Sequence, residues 1–92
     1  MNTIRIPTPL RSFTGGEKEI QISADTVGEA MQALARQHPT IRTHLFDEQD
    51  QLRPYVNVFL NDENVRNLDG ALTPIREGDR LMIIPSIAGG RA

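Results

Sequence analysis

The sequence predicts an α+β fold, a mixed sheet of four to five strands with one main helix packed on one face. Three observations lead there. Segments of alternating apolar residues lie towards both ends of the chain, a single apolar stripe of helical spacing lies between them, and proline or glycine closes most elements.

In "NTIRIP", Ile4 and Ile6 alternate and read as a half-buried first strand, stopped by Pro7 and Pro9 because proline cannot donate to a ladder. Thr14 to Gly16 read as a turn, and "EKEIQIS" alternates again through Ile20 and Ile22, so the two segments form a hairpin. In "DTVGEAMQALARQHP", Val27, Ala30, Met31, Leu34, Ala35 and His38 share one helical stripe. Asp25 or Thr26 caps it, Thr26 and Glu29 have capping-box spacing, and Pro39 ends it.

Residues 40–54 have weak periodicity and read as a short helical turn around Ile41 to Leu45 followed by a loop. "YVNVFLN" is a strand with Val56, Val58 and Leu60 on one face and Tyr55, Asn57 and Phe59 on the other. A turn at Asn61 and Asp62 leads to a short edge strand near Val65, and "REGDRLMIIP" reads as turn, strand and proline stop. The order β-β-α-β-β lets the first and last strands lie side by side at the sheet centre, with the C-terminal tail leaving beyond the sheet. A ubiquitin-like β-grasp satisfies this pattern, with the domain over 1–87 and a flexible Gly-Gly tail over 88–92.

Composition narrows the function. At 92 residues the chain is one domain with one modest core. Ten basic and 12 acidic residues give a net charge of -2, and the nine arginines are scattered, so no nucleic-acid footprint is expected. Without cysteine there is no disulfide, thiolate metal site or cysteine nucleophile. No apolar run approaches a membrane span and no signal-like segment opens the chain, so a cytoplasmic protein is expected.

No catalytic constellation emerges inside the domain. His38 and His44 lack ligand spacing; His38 is expected to serve the helix C-terminus and His44 to be solvated, with no metal. Asp47, Glu48 and Asp50 form an acidic run expected to be a solvated loop, not a tuned acid–base pair. The pair Gly15-Gly16 is explained by its turn.

Gly89-Gly90 near the C-terminus has no such structural explanation. A chain without Cβ atoms can enter a narrow active-site channel. A carboxylate at its end is a poor electrophile until a partner enzyme converts it with ATP into an acyl-adenylate, which sulfide or an amine can then attack. Leading into this tail, Leu81 and Ile83 face the core. Met82 and Ile84 point to the other face with Phe59 as an exposed apolar patch, unless segment 40–54 folds over them. Ile87 and Ala88 extend this candidate partner surface, and Arg80, Arg76 and Arg53 are candidate rim charges.

The segments "IPTPLRSFTGG", "VNVFLNDENVRNLDG" and "EGDRLMIIPSIAGG", in order across nearly the whole chain, resemble the MoaD/ThiS sulfur carriers, with the first two nearest the CysO-like branch. The resemblance implies a β-grasp carrier that is not itself an enzyme and binds no cofactor. It implies adenylation of Gly90 by an ATP-using enzyme related to ubiquitin activators, with Gly89 beside it, then conversion to a thiocarboxylate. In the CysO-like branch a cysteine synthase takes up the sulfur, and a zinc-dependent JAMM-type peptidase acts at the carrier's end. This chain departs from that pattern because Arg91 and Ala92 cover Gly90, so cleavage between Gly90 and Arg91 is expected, an inert extension being the alternative. Competing readings are the small subunit of molybdopterin synthase, a ubiquitin-like modifier joined to lysines through Gly90, and an interaction module with an idle tail.

Overall fold

Alternation in the first residues produces strand β1, Asn2–Arg5, which pairs antiparallel with β2, Glu19–Ile22, in the register Asn2 opposite Ile22 and Arg5 opposite Glu19. The computed structural model describes residues 1–85, so the expected boundary between a 1–87 domain and an 88–92 tail lies outside the described residues. The link between β1 and β2 is more than a turn. Thr8–Thr14 form a 3-10 helix with Pro9 in its first turn, and this helix carries Leu10 into the core. Gly15 and Gly16 then adopt φ of 67° and 86°, the left-handed conformations that glycine tolerates, and close the connection as expected.

Helix α1, Val27–Gln37, follows the expected stripe. Val27, Ala30, Met31, Leu34 and Ala35 are buried. The Thr26 hydroxyl accepts from the Glu29 backbone N–H at 3.2 Å, while the Glu29 carboxylate accepts from the backbone N–H of Asp25 at 3.1 Å. The forward bond of the expected Thr26–Glu29 box is therefore present, and only the return bond is displaced by one residue, to Asp25. His38 departs from the stripe. It is half-buried and serves the helix C-terminus as its cap, non-helical at φ -132° and ψ 79°, its backbone N–H donating to the Leu34 carbonyl at 2.9 Å. Pro39–Ile41 make one 3-10 turn and Arg42–Leu45 a short helix α2, burying Ile41, Leu45 and Phe46 beside α1.

Strand β3, Val56–Leu60, runs antiparallel to the last strand, β5, Arg80–Pro85. Between them β4 is a two-residue edge, Glu63–Asn64, one residue earlier than the sequence suggests; Val65 is instead buried and opens a 3-10 turn, Val65–Asn67, whose Arg66 and Asn67 are exposed. The sheet order is β2-β1-β5-β3-β4, with β1 and β5 side by side and parallel at its centre, the arrangement that the element order allows. This is the ubiquitin-like β-grasp, its helix across one face.

Ile4, Ile6, Met31, Leu34, Leu81 and Ile83 are wholly buried between sheet and helix, or nearly so. Each such side chain contributes about 1.5–3 kcal/mol of burial free energy. The buried polar groups are satisfied: the Asn2 side-chain amide donates to the Arg76 carbonyl at 2.7 Å, and the Thr14 hydroxyl lies 3.0 Å from the Glu17 carbonyl. One face of the sheet is thus sealed, and the other is left to solvent.

Candidate partner-binding face

Strand β5 sorts its side chains by parity. Leu81 and Ile83 enter the core, whereas Met82 and Ile84 stand on the opposite face, each 41% exposed. Phe59 lies opposite Met82 in the β3–β5 ladder, so the structure brings Phe59, Met82 and Ile84 onto one surface. Segment 40–54 does not cover them, because Ile41, Leu45 and Phe46 draw it to the helix side.

Two depressions flank Met82. A groove of about 620 Å³ is lined by Met82, Ile84 and Tyr55 and by the 3-10 segment carrying Pro9 and Leu10, with Pro85 also in its lining. A smaller hollow of about 230 Å³ lies between Phe59, Met82 and Arg80. The charged lining of the larger groove is Arg5 and Arg11. Arg11 is half-buried, and its Nε donates to the Ile6 carbonyl at 3.1 Å; Arg5 reaches Glu19 only at 3.9 Å.

The rim therefore differs from the expected one. Arg80 lines the smaller hollow, but Arg53 and Arg76 line neither depression. Arg53 Nε donates instead to the Thr43 carbonyl at 2.8 Å, tying the 40–54 segment to itself. Arg5, Arg11 and Tyr55 take the rim positions. Tyr55 and Arg5 had a readable signal, Tyr55 its alternation with Asn57 and Phe59 and Arg5 its alternation with Ile4 and Ile6; Arg11 reaches the groove through a 3-10 helix whose periodicity is too short to read.

The remaining candidates are dispersed. His44 is exposed with its ring stacked on Phe13, centroids 4.0 Å apart, far in role from a ligand pair with His38. Asp47 accepts from the backbone N–H groups of Gln49 and Gln51 at 2.8 and 3.0 Å, and Asp50 pairs with Arg42, so the acidic run shapes its own loop. Among the described residues no group of three His, Asp or Glu side chains is placed to hold a metal ion, and no helix is long and apolar enough to cross a membrane. Ile87, Ala88, Gly89, Gly90 and Arg91 lie outside the described residues. What the described surface offers is an apolar, arginine-edged face alongside the strand that leads to the tail.

A family model described as the ThiS family matches residues 4–90. The chain is 40% identical over 90 residues to the sulfur carrier protein CysO of Mycobacterium tuberculosis, covering 96% of this chain and 97% of that one. It is 33% identical over 78 residues to small archaeal modifier protein 3 of Haloferax volcanii, covering 82% of this chain and 84% of the other. Among solved structures, a chain of the Amycolatopsis orientalis BexX/CysO complex superposes with a TM-score of 0.88 at 39% identity, over 98% of this chain and 100% of that chain.

Proposed function

The chain belongs to the ThiS family, and from that premise we propose that it is a sulfur carrier working through Gly90. It acts as a protein co-substrate of partner enzymes. The observation that carries the reading is the extent of the family match, which runs from Ile4 through Gly89 and ends on Gly90, leaving Arg91 and Ala92 beyond it. Full-length likeness to a protein named as a sulfur carrier supports it.

The chemistry follows from the carboxylate. After a JAMM-type zinc peptidase hydrolyses the bond between Gly90 and Arg91, the freed Gly90 carboxylate attacks the α-phosphorus of ATP held by an activating enzyme. Pyrophosphate leaves, and the acyl-adenylate carries a good leaving group. A sulfide equivalent attacks the carbonyl carbon, the carbon–oxygen bond to AMP breaks, and the chain ends in a thiocarboxylate. That group gives its sulfur to an accepting synthase such as a cysteine synthase. Phe59, Met82 and Ile84, with Ile87 and Ala88 after them, are the surface by which the activating enzyme holds the domain while Gly89 and Gly90 reach its nucleotide.

Intact mass is the test. The chain ending at Gly90, incubated with activating enzyme, ATP and sulfide, is expected to gain the mass of sulfur in place of oxygen. No gain, with the enzyme active on another carrier, would falsify this reading. The likeness to a small archaeal modifier protein favours a second reading, in which Gly90 is joined to lysine amines of other proteins. Isopeptide remnants ending in Gly89-Gly90 on cellular lysines are its signature.

A further inference from the structure

Resting on the carrier reading above and deepening it, we propose that the groove beside β5 takes an apolar side chain of the activating enzyme flanked by carboxylates, which Arg11 and Arg5 engage. Met82, Ile84 and Tyr55 leave about two-fifths of their surfaces in water along one wall, so burial against an apolar side chain is favourable. Apolar burial alone does not select a partner; the charges do. Both charged side chains lining the groove are arginines, on a chain whose net charge is -2. The local field therefore opposes the global one and attracts a carboxylate.

Arg11 is prepared for that contact. Its Nε bond to the Ile6 carbonyl and its partial burial hold the guanidinium in place, so less rotamer entropy remains to be lost on pairing. Among the described residues no carboxylate pairs with it. Arg5 meets Glu19 at 3.9 Å, beyond hydrogen-bond length, and is free to turn to a better acceptor. A second copy of the chain fits less well, since a two-fold contact through this face would bring the arginines of both copies together.

Steady-state adenylation of the chain ending at Gly90 separates the outcomes, and every described element closes by Pro85. Arg11→Gln is expected to raise KM for the carrier about 5-fold and Arg11→Glu about 10-fold or more, with kcat within about two-fold. Arg11→Lys retains the charge but loses the Nε bond to Ile6 that holds the group in place, and is expected to raise KM by less than Arg11→Gln does. KM of the parent should rise with sodium chloride more steeply than that of Arg11→Gln. Equal losses in the Gln and Lys variants would reduce Arg11 to a brace for the β1 connection, and an unchanged KM in the Gln and Glu variants would remove the acidic partner; either overturns the proposal. If the enzyme adenylates no form of the chain, the carrier reading itself falls, and this proposal with it.

Discussion

Gly28 of α1 and Ala71 of the 3-10 turn Gly70–Leu72 approach so closely that a Cβ on residue 28 would lie 3.0 Å from the Ala71 carbonyl oxygen and 3.2 Å from its Cβ. An exposed helical glycine replaced by alanine ordinarily gains about 1 kcal/mol of helix propensity. Here the neighbour has little room to retreat. Two residues on, the Thr73 carbonyl accepts from the Val27 N–H at 3.0 Å, and the Ile75 N–H donates to the Asp25 carbonyl at 2.9 Å, pinning this segment to the helix start. Gly28→Ala is therefore expected to lower the thermal midpoint instead of raising it, and Gly28→Val to lower it further. A midpoint raised by Gly28→Ala would mean that the turn yields freely.

The cap of the same helix gives a second expectation. Thr26→Ala removes the acceptor for the Glu29 N–H and should cost about 1 kcal/mol, which moves the midpoint of a domain this size by roughly 4–8 °C. Thr26→Ser keeps the acceptor and should recover most of that loss. Urea melts of the three proteins decide it, with equal midpoints for Ala and Ser counting against the cap.

What the sequence made legible divides along physical lines. Helix α1 and strands β1, β2, β3 and β5 were readable because periods of 3.6 and 2 over several residues report directly on which face is buried. The central pairing of β1 with β5 was readable from element order alone. The 3-10 segments after Pro7, Asn64 and Asp69 were not: the last two have three residues each, and the first, of seven, buries only Leu10 and Thr14, too few repeats to mark a face. They matter here, because the first of them supplies Leu10 and Arg11 to the groove. The rim was misassigned for the same reason: Arg53 and Arg76 are close to the patch residues in sequence register, but loop hydrogen bonds and turn geometry place them elsewhere. His38 stands at the helix C-terminus as expected, because a capping residue continues the helical spacing while its backbone has already turned away.

Adjacent residues of β5 should separate stability from recognition. Ile83 is wholly buried, and Ile83→Ala is expected to cost about 2–5 kcal/mol through lost burial and an unfilled cavity. Ile84, 41% exposed on the opposite face, should lose well under that when cut to alanine. In the carrier reading the cost of Ile84→Ala falls on the partner instead. Together with Met82→Ala it should raise KM for adenylation by about 10-fold while the melting midpoint holds. A Met82→Ala, Ile84→Ala double variant that is adenylated like the parent would place the partner on another face.

The final expectation concerns the two residues after Gly90. An acyl-adenylate forms only on a free carboxylate, and in the chain of 92 residues the Gly90 carbonyl carbon is bonded to the nitrogen of Arg91. The uncut chain should therefore release no pyrophosphate beyond background with the activating enzyme, whereas the chain ending at Gly90 should turn over. The terminal carboxylate of that 92-residue chain is not expected to substitute: in the carrier reading, the Ala92 methyl group and the Arg91 side chain would have to pass a channel that Gly89 and Gly90 would enter without any Cβ. Incubation of the 92-residue chain with a JAMM-type zinc peptidase should remove Arg91 and Ala92 together and restore adenylation, and Gly90→Val should block both steps. Equal pyrophosphate release from the cut and uncut chains would make the extension inert and leave peptidase trimming with no part in activation.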